Sequence, residues 1–232
     1  MDPLPWSHLW TIRDGRIVRS ESCRDGDVRR LVATDFFGLH RPSRCALRVW
    51  LRHHRVEESP RGPFADLLIA TGNEHEAAHL ARYPDHLDLG SFDIAERVER
   101  TRDAISSCSG VVYQGALSAT TTLAGINVEI VGVPDFLLPS GTSYLVRDSK
   151  LARRIDEGSH PEIALQMETY GWLYERTFGS PPVALQIHNG ADEIRDVPYD
   201  GVLTHRPMNR MTAGSSQPRI SIVYPYDVTA GE

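Results

Sequence analysis

NVEIVGVPDFLLPSGTSYLVRDSK, running from Asn127 to Lys150, is the stretch that decides the fold. Its runs of Val, Ile, Leu and Tyr are bounded by turn residues, so it reads as two neighbouring strands joined at Pro139-Ser140-Gly141. Each apolar run ends on an acid: Asp135 in GVPDF, and Asp148 followed by Lys150 in RDSK. Side chains alternate faces along a strand, so Asp148 and Lys150 project to one side and Ser149 to the other. Two carboxylates and an ammonium on adjacent strands make a small site for a divalent cation and an attacking water. The backbone carbonyl of Ser149 is a further candidate ligand.

The residues on either side supply the frame. Upstream, SRCALRVWLRHH predicts a helix over 43–54, and FADLLIATGNEHEAAHLA a second over 64–81 whose apolar side carries Leu67, Leu68, Ala70, Ala77 and Leu80. In DIAERVERTRDAISS, Ile94, Val98, Thr101 and Ile105 recur at helical spacing. Strands follow over 111–119, 127–138 and 142–152. A helix in SHPEIALQMETYGWLYERTFG then has Pro161 and Glu162 at its start and Gly179 at its end. PVALQIHNG, 182–190, is a last strand. Helices first, then strands, a helix and a strand indicate an α/β or α+β domain built on a central mixed sheet. Residues 1–33 form an N-terminal extension with a short hairpin around TIRDGRIVRS, and 34–202 the main domain. The weakly patterned 203–232 is either an edge strand at ISIVY or a truncated continuation.

Composition narrows the class. With 232 residues, 41% hydrophobic and 24% charged, the chain suits one soluble catalytic-size core, and no apolar run approaches the ~20 residues of a membrane span. MDPLPWSHLW lacks a basic start and a long apolar core, which makes the cytoplasm the expected location. The net charge of −6 disfavours a protein that coats nucleic acid. A basic stripe nevertheless stands out at Arg41, Arg44, Arg48, Arg52 and Arg55, placed to guide a phosphate backbone or simply to solvate a helix face. Among 25 Lys and Arg residues, Lys150 is the single lysine. A chain that uses arginine everywhere else has a compact ammonium at this one position.

Four motifs in order carry a family resemblance: Gly72, His75 and Glu76 in G-x-x-H-E, Gly132 and Asp135 in G-x-P-D, Asp148 and Lys150 in D-x-K, and Gln166 and Tyr170 in Q-x-x-x-Y. From about Thr34 to Gly190 the chain resembles the RecB-like branch of the PD-(D/E)XK nucleases. The resemblance implies a restriction-endonuclease-like core, flanked by helices and carrying an N-terminal helical elaboration. It further implies Mg²⁺ or Mn²⁺ held by His75, Asp135 and Asp148, a catalytic Lys150, and Gln166 and Tyr170 lining the site. The activity implied is hydrolysis of DNA, exonuclease-like, on single strands or ends, in repair, recombination or defence against mobile DNA. A helicase or a defence-system component is the kind of protein partner implied. Spacing agrees for Gln166 and Tyr170: four residues apart, they share a helix face with Ile163 and Leu173. Cys23, Cys45 and Cys108 are too few, with none after Cys108, for the four-cysteine iron–sulfur cluster that many members carry, so no cluster is expected.

Two other readings compete. His75-Glu76-Ala77-Ala78-His79 is a literal H-E-x-x-H, the zinc-protease signature, but no partner motif supplies a third ligand and the D-x-K and Q-x-x-x-Y pairs stay unexplained. On the nuclease reading His79 is a surface residue. A non-catalytic nucleic-acid-binding or assembly module of the same fold is the second alternative, against which the full set of polar residues speaks.

Overall fold

A computed structural model describes residues 10–13, 16–20, 29–40, 52, 58, 60–123, 126–155 and 160–201. Its organising feature is a corner where the chain twice steps from one sheet to another. The apolar run over 127–138 is two strands, β7 (Ile126–Gly132) and β8 (Phe136–Ser140), broken at Val133-Pro134-Asp135. The run over 111–119 is likewise two, β5 (Val112–Tyr113) and β6 (Leu117–Leu123), broken at Gln114. Both corrections have backbone causes. Pro134 cannot donate to a ladder, and Gln114 sits at φ 55°, a left-handed conformation incompatible with a strand. The breaks lie side by side, because the Gln114 N–H donates to the Asp135 carbonyl at 2.8 Å.

The larger sheet has six strands in the order β11-β10-β9-β8-β5-β4, with β4 Leu87–Asp88, β9 Ser143–Ser149, β10 Leu185–His188 and β11 Ile194–Val197. β8 and β9 form an antiparallel hairpin whose loop is Gly141-Thr142, one residue beyond the expected turn, with Gly141 at φ 63°. Helix α4 (Pro161–Phe178) crosses from β9 to the parallel β10, and α3 (Ile94–Ser106) from β4 to the parallel β5. The second sheet has three strands in the order β3-β7-β6, with β3 Arg29–Val32 parallel to β7. The expected N-terminal hairpin is present as β1 (Trp10–Arg13) and β2 (Arg16–Ser20). The architecture is α+β, two mixed sheets flanked by helices, as the order of elements indicated. No helix among the described residues is long and apolar enough to cross a membrane.

α4 is the central pillar. It contacts β6, β7, β9, β10, β11 and α1 (Ala33–His40), and buries a wide face that runs from Glu162 and Ile163 to Leu173 and Tyr174, leaving a half-buried stripe at Ala164, Glu168, Trp172 and Glu175. A helix with so wide a buried face belongs to the core rather than the surface. Pro161 starts it, and Gly179, left-handed at φ 77°, ends it.

α2 (Pro63–Leu80) corrects the expected amphipathic side. Phe64, Leu67, Leu68 and Ile69 are exposed, while His79 is buried. The face turned inward carries Gly72, His75, Glu76 and His79, because the helix meets β9 through its C-terminal half. The helix expected over 43–54, with Arg41, Arg44, Arg48 and Arg55, lies outside the described residues, as does ISIVY. Arg52 is described, and its guanidinium pairs with the buried Asp35 at 3.2 Å.

Gly132 of the G-x-P-D motif has a packing reason. A Cβ there would stand 2.7 Å from Leu173 Cδ1 and 2.8 Å from Tyr170 Cδ1, so glycine lets α4 close directly on the end of β7. Gly132→Ala is expected to cost about 1–3 kcal/mol of stability through overpacking, read as a lower midpoint in urea unfolding with an unchanged slope. Wild-type stability would show that α4 is not seated so closely.

Candidate active site

The acids meet at the corner. Phe136 pairs with Arg147 in the β8–β9 ladder, so Asp135, one residue outside it, faces Asp148. The Asp135 N–H donates to Asp148 Oδ1 at 3.3 Å, and the Ser149 N–H donates to Asp135 Oδ2 at 2.6 Å. The Lys150 ammonium sits on Asp148 Oδ2. Asp148 is 2% exposed. A carboxylate so buried needs its partners, since a lone charge removed from water is expensive.

From α4, Gln166 Nε2 donates to the Tyr170 hydroxyl at 2.8 Å, and that hydroxyl donates to the Val133 carbonyl at 3.2 Å. Tyr170 thus ties the pillar helix to the broken segment just ahead of Asp135. The structure therefore brings together Asp135, Asp148, Lys150, Gln166 and Tyr170. Ser149 contributes its backbone N–H, while its hydroxyl is buried without a partner.

His75 makes no hydrogen bond or ion pair to Asp135 or Asp148. Its ring lies flat on His188, 4.5 Å between centroids and 6° between planes, with Nε2 3.4 Å from the His188 carbonyl. His79, expected at the surface, is 1% exposed and packs against His188, Phe136 and Tyr83. Burial, with His188 and the Arg147 guanidinium beside it, pushes the His79 pKa down to about 3. Arg147 Nη1 stands 3.4 Å from His79 Nε2, which sets a fixed cation where a zinc protease needs a free lone pair. Among the described residues, no three His, Cys, Asp or Glu side chains form a ready-made metal cage.

The α2 residue that does reach the acidic corner is Glu76, which sequence reading treated only as the companion of His75. Its Oε1 accepts from the Tyr113 hydroxyl and from Gln114 Nε2, both at 2.7 Å, and the same Gln114 amide lies 3.3 Å from Asp135 Oδ1. Tyr113 and Gln114 carry no motif, so nothing in the sequence marked them.

The charges explain one another. Burial, Asp148 and Glu76 raise the pKa of Asp135 well above the carboxylate range, with Lys150 and the Ser149 N–H pulling the other way. Burial works against the Lys150 charge, yet Asp148 and Asp135 more than offset it and raise its pKa. Lys150 is consequently held as an ammonium by the two aspartates. Burial and the two aspartates also keep the Tyr170 phenol protonated, so it acts as a donor. Asp148 pairs with the ammonium, and Asp135 and Glu76 lie near enough to act on its charge.

No protein-family model matches the chain, and no curated protein matches it. Among solved structures the chain is similar to one described as the crystal structure of SSO0001, at 12% identity and a TM-score of 0.40, over 75% of this chain and 69% of that one. A similarity at that level assigns neither family nor activity.

The Asp135 shift has a measurable sign. Because the folded pKa lies above the unfolded one, its stabilising effect is complete below the ordinary carboxylate range and is lost as pH rises through the folded value. Asp135→Asn, which mimics the neutral acid, is expected to raise the melting temperature at pH 7, with each 1 kcal/mol worth about 2–4 °C. The gain shrinks toward pH 3. A fall in melting temperature at pH 7 would contradict this electrostatic account.

Proposed function

We propose that this protein is a cation-dependent nuclease that hydrolyses DNA phosphodiester bonds at the Asp135–Asp148–Lys150 corner. The observation that carries the reading is the concentration of acid at one corner: the buried Asp148 pairs with Lys150 and accepts from the Asp135 N–H, and desolvation, Asp148 and Glu76 together raise the Asp135 pKa. Clusters of this kind, with perturbed ionisation in named residues, mark sites built for a charged ligand.

Asp135 and Asp148 would hold Mg²⁺ or Mn²⁺, with Glu76 as the nearest α2 acid. His75, to which the family resemblance gives a ligand role, lies stacked on His188 one residue before Glu76. When bound, the ion would supply the charge that neutralises the phosphate and acidifies water.

The chain's own residues do the rest. Lys150, held as an ammonium beside Asp148, would offer its donors to a phosphate oxygen or to the attacking water. Tyr170 stays protonated and, through Gln166 and the Val133 carbonyl, fixes the segment that presents Asp135. The Ser149 N–H locks the rotamer of Asp135. The corner is thereby rigid before substrate arrives, which favours electrostatic stabilisation in the transition state.

Single- and double-stranded DNA cleavage is the test. With Mg²⁺ or Mn²⁺ the wild type is expected to cut, EDTA to stop it, and Lys150→Ala to slow it by about 10²–10³-fold while remaining folded. Cleavage that survives EDTA, or a fully active Lys150→Ala, would overturn the mechanism. No cleavage of any DNA by folded wild type with either ion would overturn the activity.

A further inference from the structure

We propose that the groove between α3, β6 and the C-terminal half of α4 binds a nucleotide, with its base against Trp172 and its phosphate on Arg102 and Arg176. The site is separate from the acidic corner and does not rest on the reading of that corner. Trp172 follows Tyr170 by two residues, so their side chains leave α4 about 200° apart. One goes to the corner and the other to the groove.

The groove is roomy and three elements build it. Its volume is about 680 Å³, inside the range of about 300–1,000 Å³ that small-molecule sites occupy. α3 contributes Arg102, β6 contributes Ser118 to Thr120, and α4 contributes Trp172, Glu175 and Arg176.

Both arginines are open. The neighbouring arginines of α3 are engaged: Arg97 donates to the Leu89 carbonyl at 2.8 Å, and Arg100 pairs with Glu96 at 2.7 Å. The Arg102 guanidinium makes no ion pair or hydrogen bond among the described residues. Arg176 meets the Trp172 ring, its guanidinium carbon 5.7 Å from the centroid, and has no acid partner among the described residues. A cation in the last turn of a helix suits the helix dipole, which accounts for Arg176 alone. Arg102 lies outside the last turn of α3 and has no such reason. In a chain of net charge −6, two open guanidinium groups in one groove are placed for an anion.

Glu175 and Trp172 decide what kind of anion. The Tyr199 hydroxyl donates to Glu175 Oε2 at 2.6 Å and so holds this carboxylate at the groove wall. A ligand that is all acid, such as inorganic phosphate, is repelled there. A nucleotide carries hydroxyl and amine donors as well as phosphate, so the carboxylate and the guanidinium groups serve different parts of it. Trp172 is half-buried against the core and still lines the groove. An indole so placed is a platform on which a base stacks, and the guanidinium beside it adds a cation to the same surface.

β6 adds the means to read the edge of a base. It ends the order β3-β7-β6, with no strand on its other side among the described residues. Main-chain N–H and C=O groups on such an edge are open to a ligand. The Ser118 carbonyl is already engaged, accepting from the Thr177 hydroxyl at 3.4 Å. Ala119 and Thr120 continue the edge along the groove.

Isothermal titration of the full-length protein in EDTA tests the site, with AMP, ATP, a single-stranded oligothymidylate and inorganic phosphate as probes. Chelation keeps the corner free of cation, so the outcome is independent of the nuclease reading. Nucleotide is expected to bind saturably, and Trp172→Ala and Arg102→Gln each to weaken binding by about 10-fold. Arg100→Gln, on the same helix but paired with Glu96, binds as wild type. That pattern with AMP or ATP identifies a free nucleotide as the ligand; the same pattern with oligothymidylate alone identifies a nucleotide within a strand. Arg102→Gln changes an exposed side chain, so it decides the matter if Trp172→Ala fails to fold. Phosphate binding as tightly as nucleotide would reduce the groove to an anion site and overturn the proposal. So would no binding of any nucleotide, or wild-type affinity in folded Arg102→Gln.

Discussion

The buried Asp148 holds the Lys150 ammonium beside a second carboxyl, Asp135, at the point where the chain crosses between sheets, and the surrounding structure is arranged to hold them there. The crossing needs two breaks in otherwise apolar runs, at Gln114 and at Pro134-Asp135, and a hydrogen bond joins the two breaks. It needs β9 beside β8 in a register that sets Asp148 opposite Asp135. It also needs a largely buried helix, α4, to brace the broken segment through Tyr170. Removing any one of these would leave a charge in low dielectric without its partner, which costs more than the contact itself contributes.

The histidines on α2 illustrate the other face of the same sheet. Gln186 and His188 on β10 stand beside Arg147 and Ser149 on β9, and on that side His75 and His79 pack with aromatic rings rather than with acids. Arg147 is occupied there by Gln186 and Tyr83. One helix thus serves two environments a single residue apart: His75 turns to the aromatic stack, and Glu76 to the acidic corner. The division is sharp because consecutive residues on a helix point about 100° apart.

The parts that were legible in the sequence are those specified locally. β9 and its D-x-K spacing follow from alternation, and α4 from its proline start, glycine stop and apolar content. The Gln166–Tyr170 pair follows from helical spacing. The breaks were hidden because Val133 and Pro134 continue an apolar run, and because nothing in VVYQGALSA announces a left-handed glutamine. β4, with two residues, and β11, with the charged IRDV, carry too little periodicity to register as strands. The side of α2 that faces inward was misread since its largest apolar residues lie in the half that extends past the sheet. His79 has no role on the nuclease reading, so the sequence places it at the surface, whereas the structure buries it against His188 and Phe136. Glu76 stands inside a motif, but the donors that hold it, Tyr113 and Gln114, are distant in sequence and belong to none.

The charge balance of the corner is the central claim, and isothermal titration of Mn²⁺ into metal-free protein tests it most directly. The account predicts saturable binding by the wild type, competed by Mg²⁺ and abolished in a folded Asp148→Asn variant. Binding of equal strength in Asp148→Asn, or none at millimolar Mn²⁺ in the wild type, would contradict it.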